Sequence, residues 1–346
     1  MCKSRVVPNF ERLRKVLLLQ GEPDRIPIVE LGVDDSVKKA FLGRVSLTAK
    51  DNVDFWHEAG YDYINLWLNY GLRHDSSVEK IADIDNDSKD RVWAPEGKGA
   101  ITTWEEFEKF PWPDKKISYQ NFEETNLYLP DGMKIIAGEG NIFTHTWEMM
   151  GFEYFSFALV ENPDLVEAIF NKIGEIIYSA FKGVMSCPNL GALWFTDDIA
   201  YTEGLMVSPK VLRKYLFPWI KKIGDLAKEN NLPYIYHTDG RLWEVLDDLI
   251  DCGINAIHPM EPKAWNAVEV KKKYGNKLCL IGNIDLDRIC RGTTVEIEEM
   301  VKERIKNLAK GGGYCLGSSN TIPNYVSIEN YKAMLEASFK YGKYPI

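Results

Sequence analysis

Several apolar runs of this chain end in residues able to move protons or hold a cation. They are YIYHTDG (residues 234–240), AIHPMEP (256–262), LIGNID (280–285) and GGGYCLGSSN (311–320). The polar residues at their exits are His237 and Asp239, His258 and Glu261, Asn283 and Asp285, and Ser318 and Asn320. Two further runs, KIIAGEG and LWFTDD, end in Glu139 and in the pair Asp197–Asp198. An imidazole among carboxylates suits general acid–base catalysis or a divalent cation. His237 and Asp239 fall on one side of an extended chain, because side chains alternate with a period of two. His237 is a candidate metal ligand or proton donor. Asp239 is a candidate ligand, or the carboxylate that orients and charge-stabilises the imidazole. Adjacent carboxylates in an apolar mouth would have raised pKa values; only one of Asp197 and Asp198 is expected to point inward, and Asp198 is taken as the catalytic candidate. Glycines on both sides of Glu139 permit close approach of a ligand. The competing reading of Glu139 is a cap for a helix starting near Asn141.

The remaining candidates are contacts for a substrate. His145 and Glu148, three apart, share a helix face and with Trp147, Met149 and Met150 could roof an aromatic pocket. Glu30, Asn65, Glu261 and Asn320 are polar groups near expected strand ends. Trp67, Tyr70 and Trp93 suit an aromatic substrate or a partner surface. Each has a structural counterpart: a histidine–carboxylate pair that braces a loop, a plain packed helix, an aromatic that only packs.

The elements that must position these residues alternate along the chain. Expected strands are RIPIVELG, YDYINLW, KIIAGEG, LWFTDD, the run ending at His237, INAIHP, LCLIGN and the run ending at Asn320. Helix signals lie between most of them. Asn162–Pro163 opens one helix with proline at its first position. Ser208–Pro209 opens another, which Pro218 should kink. Arg241–Cys252 should stop at Gly253. Thr293 and Glu296 form a capping box for Val295–Lys310, and Ile328–Tyr341 closes the chain. The segment from about 72 to 130, with the hairpin-like RVWAPEGKGAITTW, breaks the rhythm and reads as an insertion over a mouth. Chemistry placed just past the carboxyl ends of successive parallel strands predicts an α/β fold, a single (β/α)8 TIM barrel. A doubly wound open sheet is the alternative. No GxGxxG follows a strand, and the glycines at 311–313 stop a helix rather than cradle a phosphate.

The chain has 346 residues, 45% hydrophobic and 27% charged, as a globular protein does. A net charge of −9 argues against general nucleic-acid binding. The six cysteines form no CxxC pair. MCKSRVVPNFERLRK has no apolar signal region, and no run approaches a membrane span. A reducing cytoplasm is the expected location.

Five stretches together resemble the uroporphyrinogen decarboxylase superfamily. They are NFERLRKVLLLQGEPDRIPI, MGFEYFSFALVENPDLVEAI, FTDDIAYTEGLMVSPKVLRKYLFPWIKKI, HTDGRLWEVLDDLIDCGINAIHPMEP, and the long stretch from LIGNIDLDRICRG to GGGYCLGSSNTIP. The resemblance implies either cofactor-free decarboxylation or corrinoid-dependent methyl transfer. The decarboxylase's arginine-containing RQAGRYLPEYR-like stretch is replaced by EPDRIPIVELGVDDSVKKAF, where Glu30, Asp34 and Asp35 would repel a polycarboxylate. Its aspartate after the second strand has no counterpart, since YINLWLNYG offers only Asn65 and Asn69. Coenzyme M methyltransferases hold zinc through H-x-C and a later cysteine; here these positions are His237-Thr238-Asp239 and Asn320. Loss of soft thiolates disfavours coenzyme M chemistry, while a His/Asp site could still hold zinc as a Lewis acid. Within the superfamily the chain resembles the O-demethylase-type methyltransferases more than the decarboxylase or the coenzyme M enzymes. The resemblance then implies methyl transfer from a small donor, a phenyl methyl ether, to cob(I)alamin on a separate corrinoid protein. The cobalamin is expected on that partner, since no D-x-H-x-x-G motif occurs here. The alternatives are a decarboxylase anchoring its substrate on Arg25, Arg73 or Arg241, and a binding protein that has lost its chemistry.

Overall fold

The computed structural model describes residues 7–72, 79–80, 92–93, 99–113 and 117–346, with strands 79–80 and 92–93 described by backbone alone; Cys2, Arg73 and the Trp93 side chain lie outside the described residues. Seven parallel strands form one sheet: β1 (Tyr63–Trp67), β2 (Lys134–Gly140), β3 (Leu190–Thr196), β4 (Tyr234–His237), β5 (Ala256–His258), β6 (Cys279–Ile284) and β7 (Tyr314–Ser318). They pair in chain order and curl into a half-barrel wrapped by helices. β4 to β7 are buried at every position. That is why their sequences read as continuous apolar runs rather than as alternating ones.

The expected first strand, RIPIVELG, does not form a ladder. It makes two isolated bridges, Ile28 with Leu316 in parallel and Arg25 with Lys343 antiparallel, and Val33 just beyond it bridges Ile322 in parallel. Pro27 has no N–H to give, although its carbonyl accepts from Leu316 N at 3.0 Å. On the other side, side chains of β1 replace the ladder. The Tyr63 hydroxyl donates to Glu30 O (2.6 Å) and accepts from Glu30 N (2.8 Å), and Asn65 Nδ2 donates to Leu31 O (2.8 Å). The segment therefore lies between the two edge strands without being a regular strand.

The helix signals are met with two changes. The Thr293–Glu296 capping box has both of its bonds, and Pro163 opens the helix Pro163–Val184. The irregularity expected at Pro218 falls at Leu216, which keeps right-handed helical angles between Pro209–Tyr215 and Phe217–Glu229. The helix expected from Arg241 begins only at Leu246. Gly253 follows it with φ +95°, a conformation that favours glycine.

Within 72–130, Val92–Trp93 pairs antiparallel with Glu79–Lys80. Short helices span Trp104–Lys109 and Gln120–Asn126. Ile101 and Phe122 are wholly buried, so part of this segment belongs to the core. Asn121 Nδ2 also donates to Trp67 O, at the carboxyl end of β1 (3.1 Å). Among the described residues, no helix is long and apolar enough to cross a membrane.

Candidate active site at the carboxyl ends of the strands

Ladder register decides which side chains meet. One row across the sheet is Gly140, Thr196, His237 and His258; the row before it is Glu139, Phe195, Tyr236 and Ile257. Residues in one row of a parallel sheet face the same way, and successive rows face opposite ways. Phe195 stacks on Tyr236 and tilts against Phe181 of the helix Pro163–Val184, so that row faces the helices. The His237 row faces the barrel interior.

Asp198, His237 and Asp239 come together at the mouth. One potential ligand atom from each lies within 4.8 Å of the others. His237 Nε2 is 3.8 Å from Asp198 Oδ1, beyond hydrogen-bonding distance. Asp198 Oδ1 instead accepts from Asp239 N (2.8 Å). Asn320 Nδ2 donates to both oxygens of Asp239 (3.1 and 3.0 Å). Burial pushes the Asp239 carboxyl up to about 7, aided by Asp198 and Glu261 and opposed by the Asn320 bond. Burial also lowers the His237 imidazole, with Asp198 acting against it. Glu261 is tied to the same loop by Gly240 N (3.4 Å).

Backbone contacts hold this loop in place. Thr238 N donates to His258 O (3.0 Å), and its hydroxyl accepts from Ile199 N (3.1 Å). Gly240 has φ +83°, and a Cβ there would lie 2.5 Å from Tyr201 O. Only glycine fits so close to that backbone. Behind His237, its Nδ1 lies 2.7 Å from His258 Nδ1. The His258 ring is perpendicular to Trp194, with centroids 5.1 Å apart. Ladder register alone brings His258 beside His237, and no local signal along the chain pairs them.

Glu139 lies on the helix-facing side. Its Oε1 accepts from Gly140 N (2.9 Å) and the Tyr70 hydroxyl (3.4 Å), and burial pushes its carboxyl up to about 7. Tyr70 also bonds His145 Nε2 (2.8 Å), and His145 Nδ1 is 3.5 Å from Glu148. Met149 and Met150 are buried, their carbonyls accepting from Ile101 N and Gly99 N. The cap of the helix Ile142–Met150 is neither Glu139 nor Asn141. Asp197 supplies it, accepting from Phe143 N (2.7 Å), Thr144 N (3.0 Å) and the Thr144 hydroxyl (2.9 Å). Of the aspartate pair, Asp197 thus turns to the helix and Asp198 to the mouth.

Glu30 stands apart from the cluster. It is 0% exposed, with Oε1 accepting from Ser318 N (2.7 Å) and Oε2 2.5 Å from the Ser318 hydroxyl. Asp34 and Asp35 are exposed, with Asp34 capping a helix through Ser36 N. Asn65 and Trp67 share the interior-facing row set of His237, and the Trp67 ring lies over Gly138. Asn283 donates to Met260 O and Asp285 caps the helix Leu286–Arg291, so both serve the fold. Of the expected cationic anchors, Arg73 lies outside the described residues and Arg25 lies away from the mouth. Arg25 is buried beside Asp62 before β1, at the opposite end of the strands, and Arg241 bonds the Glu203 carbonyl.

A cavity of about 450 Å³ adjoins the cluster, reaching from Asp239, Glu261 and Asn320 to Asp285 and Tyr325. That volume lies in the usual range for a small-molecule site. The donor set of one neutral imidazole and two carboxylates fits a hard or borderline divalent cation such as zinc, with room left for a further ligand. A cation there would offset the repulsion between Asp198 and Asp239.

The chain matches the uroporphyrinogen decarboxylase (URO-D) family over residues 90–341. No curated protein matches it. A solved methyltransferase from Methanosarcina mazei aligns with TM-score 0.69 at 17% identity, covering 97% of this chain and 99% of its own. At that identity the likeness establishes a shared fold. A sugar phosphate isomerase/epimerase from Parabacteroides distasonis aligns with TM-score 0.40 at 10% identity, covering 92% of this chain and 96% of its own.

Proposed function

Because the chain belongs to the uroporphyrinogen decarboxylase family, we propose that it is a methyltransferase moving a methyl group from a small donor, a phenyl methyl ether, to cob(I)alamin on a separate corrinoid protein. The observation that carries this reading is the Asp198–His237–Asp239 cluster at the mouth. It joins an imidazole and carboxylates beside a cavity able to hold a one-ring donor. The fold shared with a methyltransferase supports it.

The reaction is an in-line displacement on the methyl carbon. The acceptor supplies the electron pair of the new bond, the ether C–O bond breaks, and its pair stays on oxygen. A phenolate is a poor leaving group unless its oxygen is protonated or polarised. His237 and Asp239 are the residues assigned to deliver that proton, with Asp239 near half-protonated at neutral pH. Asn320 holds Asp239 in place through both oxygens. Asp198, His237 and Asp239 would hold zinc, which when bound supplies Lewis-acid polarisation of the donor oxygen. Trp67 offers an aromatic wall on the interior side. Glu139, on the helix-facing side, is assigned to the Tyr70–His145–Glu148 chain and not to the reacting carbon. Lys263 and Arg291 also line the cavity, which keeps decarboxylation of an anionic substrate as the alternative.

The test is anaerobic incubation of the protein with cob(I)alamin and methylated donors, followed by the absorbance of methylcobalamin. Conversion should fall by about 10²–10⁴-fold in His237→Ala. An unchanged rate in that variant, or no conversion with ethers, amines, thioethers or methanol in the presence of zinc and the corrinoid partner, overturns the reading.

A further inference from the structure

We propose that Thr238, the residue between His237 and Asp239, is a positioning residue whose hydroxyl sets the spacing of Asp198 from those two, and with it the affinity of the cluster for a divalent cation. The inference rests on the proposed function and deepens it, since it names what holds the ligands together. Asp198 comes from the loop after β3, and His237 and Asp239 from the end of β4. Strand pairing stops at the row of Thr196 and His237, so beyond it other bonds must keep the two segments in step. Asp197 N still donates to His237 O (2.9 Å). On the other side of Asp198, Ile199 N donates to the Thr238 hydroxyl (3.1 Å), which donates in turn to Asp239 O (3.1 Å). Asp198 is thus bracketed by two amides, each held by the segment that carries His237 and Asp239.

Alternation along an extended chain turns Thr238 away from the side shared by His237 and Asp239. It is 1% exposed and does not line the cavity, so it acts only through its neighbours. Its hydroxyl engages its one proton and one lone pair in the two bonds. Ile199 is buried, so without the hydroxyl its amide has no water to turn to. A second link between the segments, from Asp239 N to Asp198 Oδ1 (2.8 Å), occupies an oxygen that a cation would also draw on. A third, from Arg241 N to Tyr201 O (3.1 Å), lies beyond all three ligands. The Thr238 bonds lie at the level of the cluster and use none of the three ligand side chains. They therefore keep the spacing while the half-exposed Asp198 carboxylate turns toward the ion.

The experiment is the zinc affinity of the whole protein, read by competition with a chromophoric chelator at a temperature where circular dichroism shows every variant folded. Thr238→Val keeps the branched shape and removes both bonds, and should bind zinc about 10–100-fold more weakly. Thr238→Ser keeps the hydroxyl and should bind as the wild type does. Tyr61→Phe is the control for general loosening: it removes a buried hydroxyl bond to Tyr331 (2.8 Å), before β1 at the opposite end of the strands. It should lower stability and leave zinc affinity unchanged. Wild-type affinity in Thr238→Val overturns the proposal, as does a Thr238→Ser protein as weak as Thr238→Val, or equal weakening in Tyr61→Phe. A wild type that binds no zinc overturns it too. The measurement contains no methyl donor and no corrinoid, so each of these failures is separate from failure of the methyl-transfer reading, which its own assay decides.

Discussion

Glu30 should make the protein less stable as pH rises through the neutral range, and Glu30→Gln should remove that dependence. The carboxyl is 0% exposed, and burial pushes it up to about 8 against the two Ser318 bonds that lower it. Ser318 N and the Ser318 hydroxyl both donate to the carboxyl and favour its charged form, but complete burial outweighs them. An unfolded chain would ionise Glu30 at its ordinary value, about 4.3. Below that value both states hold the proton and the contribution is complete. Between it and about 8 only the folded state holds the proton, so stability falls as pH rises; above it the contribution is lost. One proton of difference is a tenfold change in the folding equilibrium per pH unit. With half-titration reached near the folded value, the loss from pH 6 to pH 8 is about 2 kcal/mol. Glutamine keeps the shape, the acceptor for Ser318 N and a donor for the hydroxyl, but cannot ionise. Urea unfolding at both pH values should show Glu30→Gln gaining about 2 kcal/mol on the wild type between them. Glu139, Asp197 and Asp239 titrate in both proteins and cancel in the difference. A constant offset between wild type and variant at the two pH values would refute the argument, because it would mean that Glu30 is already ionised in the folded protein.

Other outcomes follow from the same geometry. Asp197→Ala strips the cap from the helix Ile142–Met150 and leaves the Phe143 and Thr144 amides unpaired; urea unfolding should show a loss of about 3 kcal/mol, and a loss under about 0.5 would discount the cap. Gly240→Ala forces a Cβ against the Ala200–Tyr201 backbone and shifts Asp239; methylcobalamin formation should fall on the order of 10²-fold, and full activity would show that Asp239 need not be held. Asn320→Ala releases both oxygens of Asp239; zinc affinity, read by competition with a chromophoric chelator, should drop about tenfold or more, and an unchanged affinity would place the cation elsewhere. Chelation should abolish methyl transfer and zinc should restore it; full activity in protein shown by elemental analysis to be metal-free would remove the cation from the reading and leave proton donation alone.

What could be read before folding was whatever depends on neighbours along the chain. A buried parallel strand needs apolar residues at every position, so β2 to β7 stand out as runs, and the polar residues ending them mark the mouth. Caps are equally local: Thr293 with Glu296 and Pro163 after Asn162 specify helix starts within one turn. The period of two also ties His237 to Asp239. Only the tertiary structure decided which strand ends share a face, because register between strands is set by backbone ladders and not by either strand alone. It put His258 in the row of His237 and Glu139 in the opposite-facing row with Phe195 and Tyr236. It divided the Asp197–Asp198 pair, giving the first to amide donors of a distant helix and the second to the mouth. It also replaced the expected strand around Pro27 with two bridges and the side chains of Tyr63 and Asn65. A chain that lacks a ladder donor can still fill a strand's place when side chains from across the gap satisfy its backbone.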